Sequence, residues 1–139
     1  LSRQTVIALT DGSAVEEGAG VIVKVENPQA IIIGTGSELS VAVDAATLLQ
    51  KEGINVNVVT MPSWERFASL SKARQEEILP RSLPRISVEA GTTFGWAAYA
   101  TDIVGIDRFG ASAPGNVVMA ELGITADHVA DVARSAINR

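Results

Sequence analysis

The sequence predicts a three-layer α/β domain: helices on both sides of a roughly five-stranded mixed sheet, mostly parallel with one antiparallel edge strand. Three observations carry that expectation. A chain of 139 residues with 47% hydrophobic content is long enough to bury one substantial core and too short for two ordinary domains. Short β-branched runs alternate with segments of helical period from residue 20 onward, the pattern of a sheet with crossover helices. One of the runs, VIVKV at 21–25, carries Lys24 and polar flanks, which mark an edge strand antiparallel to the rest.

Taken in order, DGSAVEEGA at 11–19 is small, polar and acidic without a sustained period, and reads as a linker or extended surface loop. The domain proper is expected from residue 20 to 139, with 1–19 as a preceding tail. After VIVKV come the strand candidates AIIIGT (30–35), INVNVVT (54–60), RISVE (85–89) and, more weakly, DIVGIDRF (102–109). Between the second and third, Leu39, Ala42, Val43, Ala46 and Leu49 recur at helical spacing up to Gly53, giving one βαβ unit of right-handed crossover. Ser71 is placed to cap a short helix that Pro80 stops. Ser112-Ala113-Pro114 reads as a cap followed by proline in the first turn of a helix closed by Gly123. Thr125 then caps the last helix, whose Val129, Val132, Ala133 and Ala136 keep helical spacing.

Composition narrows the function. The net charge is -5, and the 11 basic residues are scattered, so no cationic stripe exists for a nucleic acid or an anionic membrane surface. The absence of cysteine excludes disulfides, thiolate catalysis and thiolate metal sites. No apolar run approaches the ~18 to 20 residues that span a bilayer, and the amino end lacks a signal-peptide pattern. A cytoplasmic protein is expected. The chain opens at Leu1, as a piece of a longer protein would.

Four places invite a chemical reading. Gly34-Thr35-Gly36-Ser37 joins a strand to a helix in the manner of a phosphate-binding turn. The third glycine of a dinucleotide fingerprint is replaced by Leu39, no acidic residue closes the next strand, and Glu38 competes with a bound anion; a structural turn with Ser37 near the cap is the preferred reading. His128, the single histidine, lacks the partners that general catalysis or a metal site requires and is expected to face solvent. Glu89 ends a strand where ligands gather in open α/β sheets; it is read as a hydrogen-bond anchor for the following turn rather than a general base, because no partner acid is identifiable. Phe94, Trp96 and Tyr99 crowd into six residues and serve either an interface or the core.

Longer strings say more. LSRQ (1–4), IIIGTGSELSVAVDAATLL (31–49), VNVVTMPSWERFASL (56–70), ILPRSLPRISVEAG (78–91) and GIDRFGASAPGNVV (105–118) together resemble the carboxy-terminal part of transketolases, in order and over nearly the whole chain. The resemblance implies a Rossmann-like domain of a homodimeric transferase that moves a two-carbon ketol unit between sugar phosphates in the pentose phosphate pathway. It also implies that thiamine diphosphate and a divalent metal, Mg or Ca, lie between two preceding domains, so this chain holds no cofactor, metal or catalytic residue and is inactive alone. Its partners are then the other domains of the parent chain. One binding residue carries over: Ser2-Arg3-Gln4 matches the family's string whose arginine contacts the sugar-phosphate group, although Thr5-Val6-Ile7 replaces the usual Asn-Leu-Pro continuation. An arginine fork suits that task. The rivals are the equivalent domain of another thiamine-diphosphate enzyme and an anion- or nucleotide-binding module centred on residues 34–37; LSRQ and GIDRFGASAP favour transketolase.

Overall fold

A computed structural model describes residues 13–89, 95–105 and 124–139. In chain order these form α1 (Ser13–Glu17), β1 (Gly20–Val23), β2 (Ala30–Gly34), α2 (Glu38–Lys51), β3 (Val56–Thr60), α3 (Trp64–Ala68), α4 (Lys72–Ile78), β4 (Arg85–Val88), a 3-10 turn at Trp96–Ala98, β5 (Asp102–Val104) and α5 (Ala126–Ile137). The expected helix after Ser112-Ala113-Pro114 with its Gly123 stop, residues 106–109 of the fifth strand candidate, Phe94 and Arg3 lie outside the described residues.

The five strands make one sheet in the order β1-β3-β2-β4-β5. Only β1 runs antiparallel, against β3 at the edge, while β3, β2, β4 and β5 are mutually parallel. This is the expected mixed sheet, and VIVKV occupies the expected edge. That strand is shorter than its hydrophobic run, because pairing slips between Val21↔Val59 and Val23↔Val58. The slip is a one-residue bulge, which bends an edge away from further pairing. Beyond it, the Asn57 side chain accepts the Val25 N–H at 2.9 Å, replacing the lost ladder partner.

Side chains of β2 alternate between two cores. Ile32, with Val58, Ile86 and Val88, meets Ala42, Ala45, Leu49, Val129 and Ala133 of α2 and α5. Ile31 and Ile33, with Val59, meet Phe67, Ile78, Leu79 and Trp96 on the other side. The three layers follow from that alternation. The buried stripe of α2 is Glu38, Ala42, Ala45, Ala46 and Leu49, rotated from the one its sequence period indicates. Leu39 and Val43 sit half-buried at its margin, because α2 is wedged between the sheet and α5, where small alanines allow close approach. Arg134 of α5 also bonds the Glu52 carboxylate just past α2 (Nε to Oε1, 2.8 Å). Gly53, at φ 80°, ends α2 as expected, its N–H reaching Gln50 O at 3.0 Å.

Caps behave as their residue types require. Ser71 Oγ accepts the Arg74 N–H at 3.1 Å, and Thr125 Oγ1 accepts the His128 N–H at 3.1 Å. Ser63 does the same for Arg66 at 3.3 Å and opens α3, a helix of five residues too short to show a period.

The linker reading of 11–19 needs correction over residues 13–19. Ser13–Glu17 is helical, and Ala14 and Ala19 are buried. Glu17 takes a two-pronged bond from Arg74, Nε to Oε2 at 2.6 Å and Nη2 to Oε1 at 2.8 Å. Arg66 Nη1 donates to Val15 O at 3.1 Å. Gly18 sits at φ 85° where a Cβ would lie 2.2 Å from Ser63 O, so only glycine fits. The hydrogen bond from Arg74 holds the Glu17 carboxyl below its ordinary range, partly opposed by desolvation and helped by the charge of Arg74. The pair therefore stabilises the fold above the ordinary glutamate range and loses that contribution as pH falls through the lowered folded value. We expect Glu17→Gln to cost about 0.2 to 1 kcal/mol at neutral pH, as exposed pairs do, and progressively less in urea unfolding as pH falls below the ordinary glutamate range; a loss that does not change with pH would contradict the ion pair.

Candidate functional site

In an open α/β sheet the place to look is beyond the carboxyl ends of parallel strands, where neighbouring connections leave to opposite faces. Here that point lies between β2, which feeds α2 on one face, and β4, followed by Trp96 on the other. An open cleft of about 490 Å³ occupies it, bounded by Thr35 and Gly36, the Met61–Glu65 turn, and Glu89.

The Gly34–Ser37 turn is built for contact rather than for capture. A Cβ on Gly34 would stand 3.0 Å from both Ala42 Cβ and Leu39 Cα, so the glycine sets how closely strand and helix join. Gly36 turns the chain at φ 55° with open space around it. Two amides at the start of α2 are already used: Glu38 N–H bonds Thr35 O at 3.1 Å and Leu39 N–H bonds Gly36 O at 3.2 Å. Ser37 makes no side-chain cap; its hydroxyl donates to Glu38 Oε1 at 2.8 Å. Glu38 is 8% exposed, a carboxylate of the chain's own at the positive end of the helix.

Glu89 is an anchor. Its Oε2 accepts the Trp96 Nε1–H at 3.0 Å, and Trp96 is 1% exposed. A buried indole N–H requires an acceptor. Trp64 meets Trp96 edge-on at 5.1 Å and lies 5.6 Å from Tyr99, which in turn meets Phe67 edge-on at 5.8 Å. Of the two readings of this aromatic group, Trp96 therefore belongs to the core and Tyr99 packs partly buried against it. Gly95, at φ 89°, allows the approach, since a Cβ there would strike the Trp64 ring at 2.5 Å. The sequence reading missed Trp64; the one signal for it is Ser63 capping a turn in PSWERF.

His128 is exposed in the first turn of α5, as expected. Among the described residues no three His, Cys, Asp or Glu side chains group so as to hold a metal ion, and no helix is long and apolar enough to cross a membrane. Glu89 and the Thr35–Gly36 part of the 34–37 turn border the same cleft, His128 is not among its lining residues, and Arg3 lies outside the described residues.

Fold and crevice together define a Rossmann-like three-layer α/β domain with an antiparallel edge strand, the turn after β2 being occupied by internal hydrogen bonds. Residues 18–125 match the family described as the transketolase-like TK C-terminal domain, and the chain belongs to that family. It is 46% identical over 121 residues to the transketolase of Geobacillus stearothermophilus, covering 83% of this chain and 18% of that protein. A chloroplastic transketolase of Craterostigma plantagineum is 44% identical across an alignment of 146 residues, 99% of this chain and 28% of the relative. The structure of transketolase from Leishmania mexicana superposes with a TM-score of 0.89 at 38% identity, covering 96% of this chain and 20% of that one. The chain thus spans between 18% and 28% of the length of these relatives.

If Glu89 serves as the acceptor for Trp96, Glu89→Ala strands a buried donor and should lower stability by about 1 to 3 kcal/mol, while Glu89→Gln, whose amide oxygen still accepts, should recover most of it. Chemical denaturation of both variants checks this; equal losses would show that the carboxylate is needed for something else.

Proposed function

We propose that this chain is the carboxy-terminal domain of a transketolase, its sheet and helices spanning residues 20–139 with the ordered 13–19 segment packed against them, preceded by the tail of the domain before it. The observation that carries the reading is the family match over residues 18–125 together with 46% identity to a protein named transketolase. In the parent, a ketol unit passes from a ketose phosphate to an aldose phosphate with thiamine diphosphate and a divalent metal held between the preceding domains. This chain contributes packing between domains and support of a homodimer, and is inactive alone. The hydrogen-bonded Gly34–Ser37 turn favours that supporting role over an anion-binding module at the same place. A cytoplasmic location belongs to the same proposal, although some relatives are chloroplastic.

Arg3 is proposed as the one substrate-binding residue in the chain, its guanidinium gripping the phosphate of the sugar. A permanently charged planar fork suits phosphate oxygens better than lysine's point charge. In the whole enzyme, Arg3→Ala should reduce kcat/KM for phosphorylated sugars by roughly 10- to 100-fold, from a charged hydrogen bond of about 1.5 to 3 kcal/mol. Unphosphorylated acceptors should lose far less; equal losses for both would remove the phosphate role.

A further inference from the structure

Away from the strand-end crevice, on the side of the sheet covered by α3 and α4, a pocket of about 110 Å³ opens between α4, the turn into β4 and the Ala98–Tyr99 segment. Phe67 and Leu79 form its apolar floor, and Lys72, Arg81 and Arg85 line it with a single carboxylate, Glu76. Three cations against one acid stand out in a chain of net charge -5.

Arg85 is the unusual member. Its backbone is fixed from both sides by Thr101, whose Oγ1 accepts the Arg85 N–H at 2.9 Å and whose N–H donates to Arg85 O at 2.7 Å. The guanidinium is therefore held from a rigid root, yet its Nε is buried without a hydrogen-bond partner. Buried donors of this kind are ordinarily satisfied, and an unmet one on a charged group is costly. Burial first, then repulsion from Arg81, lowers the Arg85 pKa against the attraction of Glu76. Glu76 does not bond that Nε; its Oε2 accepts the backbone N–H of Arg81 at 2.9 Å. Among the described residues the ion pairs of the chain engage Arg74, Arg134 and Arg139, and none of them uses Lys72, Arg81 or Arg85.

We propose that this pocket binds a phosphate group, free or as the ester of a small metabolite, with the half-buried Arg85 guanidinium as the central donor and Arg81 and Lys72 as flanking charges. The planar donor edge of arginine matches two phosphate oxygens at once, and the Phe67–Leu79 floor offers an apolar surface to the carbon of an ester.

The test is calorimetric titration of the whole protein that carries this chain, in an Arg3→Ala background so that the substrate contact proposed above is removed. Inorganic phosphate and glycerol phosphate are the probes, at constant ionic strength. Saturable binding is expected, weakened about tenfold or more in Arg85→Met, the scale of a lost charge-assisted hydrogen bond. Arg81→Gln, a change at an exposed side chain that leaves the core untouched, should weaken it about threefold and serves if Arg85→Met fails to fold. Tighter binding of glycerol phosphate assigns the ester, and tighter binding of inorganic phosphate the free anion. No saturable heat with either probe, or the same affinity in both variants as in the Arg3→Ala parent, would overturn the site.

Discussion

The structure depends on one strand buried on both faces. Ala30, Ile31, Ile32 and Ile33 of β2 are each 0% exposed, and a full isoleucine burial contributes about 1.5 to 3 kcal/mol. A strand with branched side chains up and down is satisfied only when both faces are covered, so α2 and α5 must take one side and α3, α4 and Trp96 the other. The chain also has to leave β2 at once and return over the sheet, and Gly34 eases that turn because a Cβ there would crowd Ala42 and Leu39 at 3.0 Å. The Gly-Thr-Gly turn is a consequence of this geometry. Its likeness to a phosphate loop comes from sharing the same steric problem.

Much of the fold was legible because its signals are local. Three consecutive isoleucines before a glycine announce a fully buried parallel strand, Lys24 announces an edge, and Ser71, Thr125 and Gly53 mark helix ends through bonds within three or four residues of themselves. What was not legible depends on partners distant in sequence. Residues 13–17 carry no period of their own; Glu17 becomes ordered structure because Arg74 reaches it, and Gly18 because Ser63 and Phe67 leave no room for a side chain. The tilt of the α2 stripe toward Ala45 likewise follows from α5, which sits more than eighty positions on.

The same division explains the candidate site. Glu89 was recognisable as an end-of-strand carboxylate, but the indole it holds comes from a turn whose position no local rule specifies, and Gly95 and Trp64 are intelligible only as the two sides of one close contact. The cationic pocket around Arg85 was invisible for another reason: Lys72, Arg81 and Arg85 read along the chain as scattered surface charges, and only the layering of α4 over β4 brings them together. Function itself was legible from ordered strings rather than from any single residue, which fits a domain whose described strand-end turns are occupied by structure.

The proposed role is that of a domain that packs within a thiamine-diphosphate enzyme without holding the cofactor. The most direct measurement is calorimetric melting of this chain and of the whole parent protein, each with and without thiamine diphosphate and magnesium. The account predicts one cooperative transition for the chain at an unchanged temperature, beside a concentration-dependent rise for the parent. A concentration-dependent rise for the chain alone would contradict it.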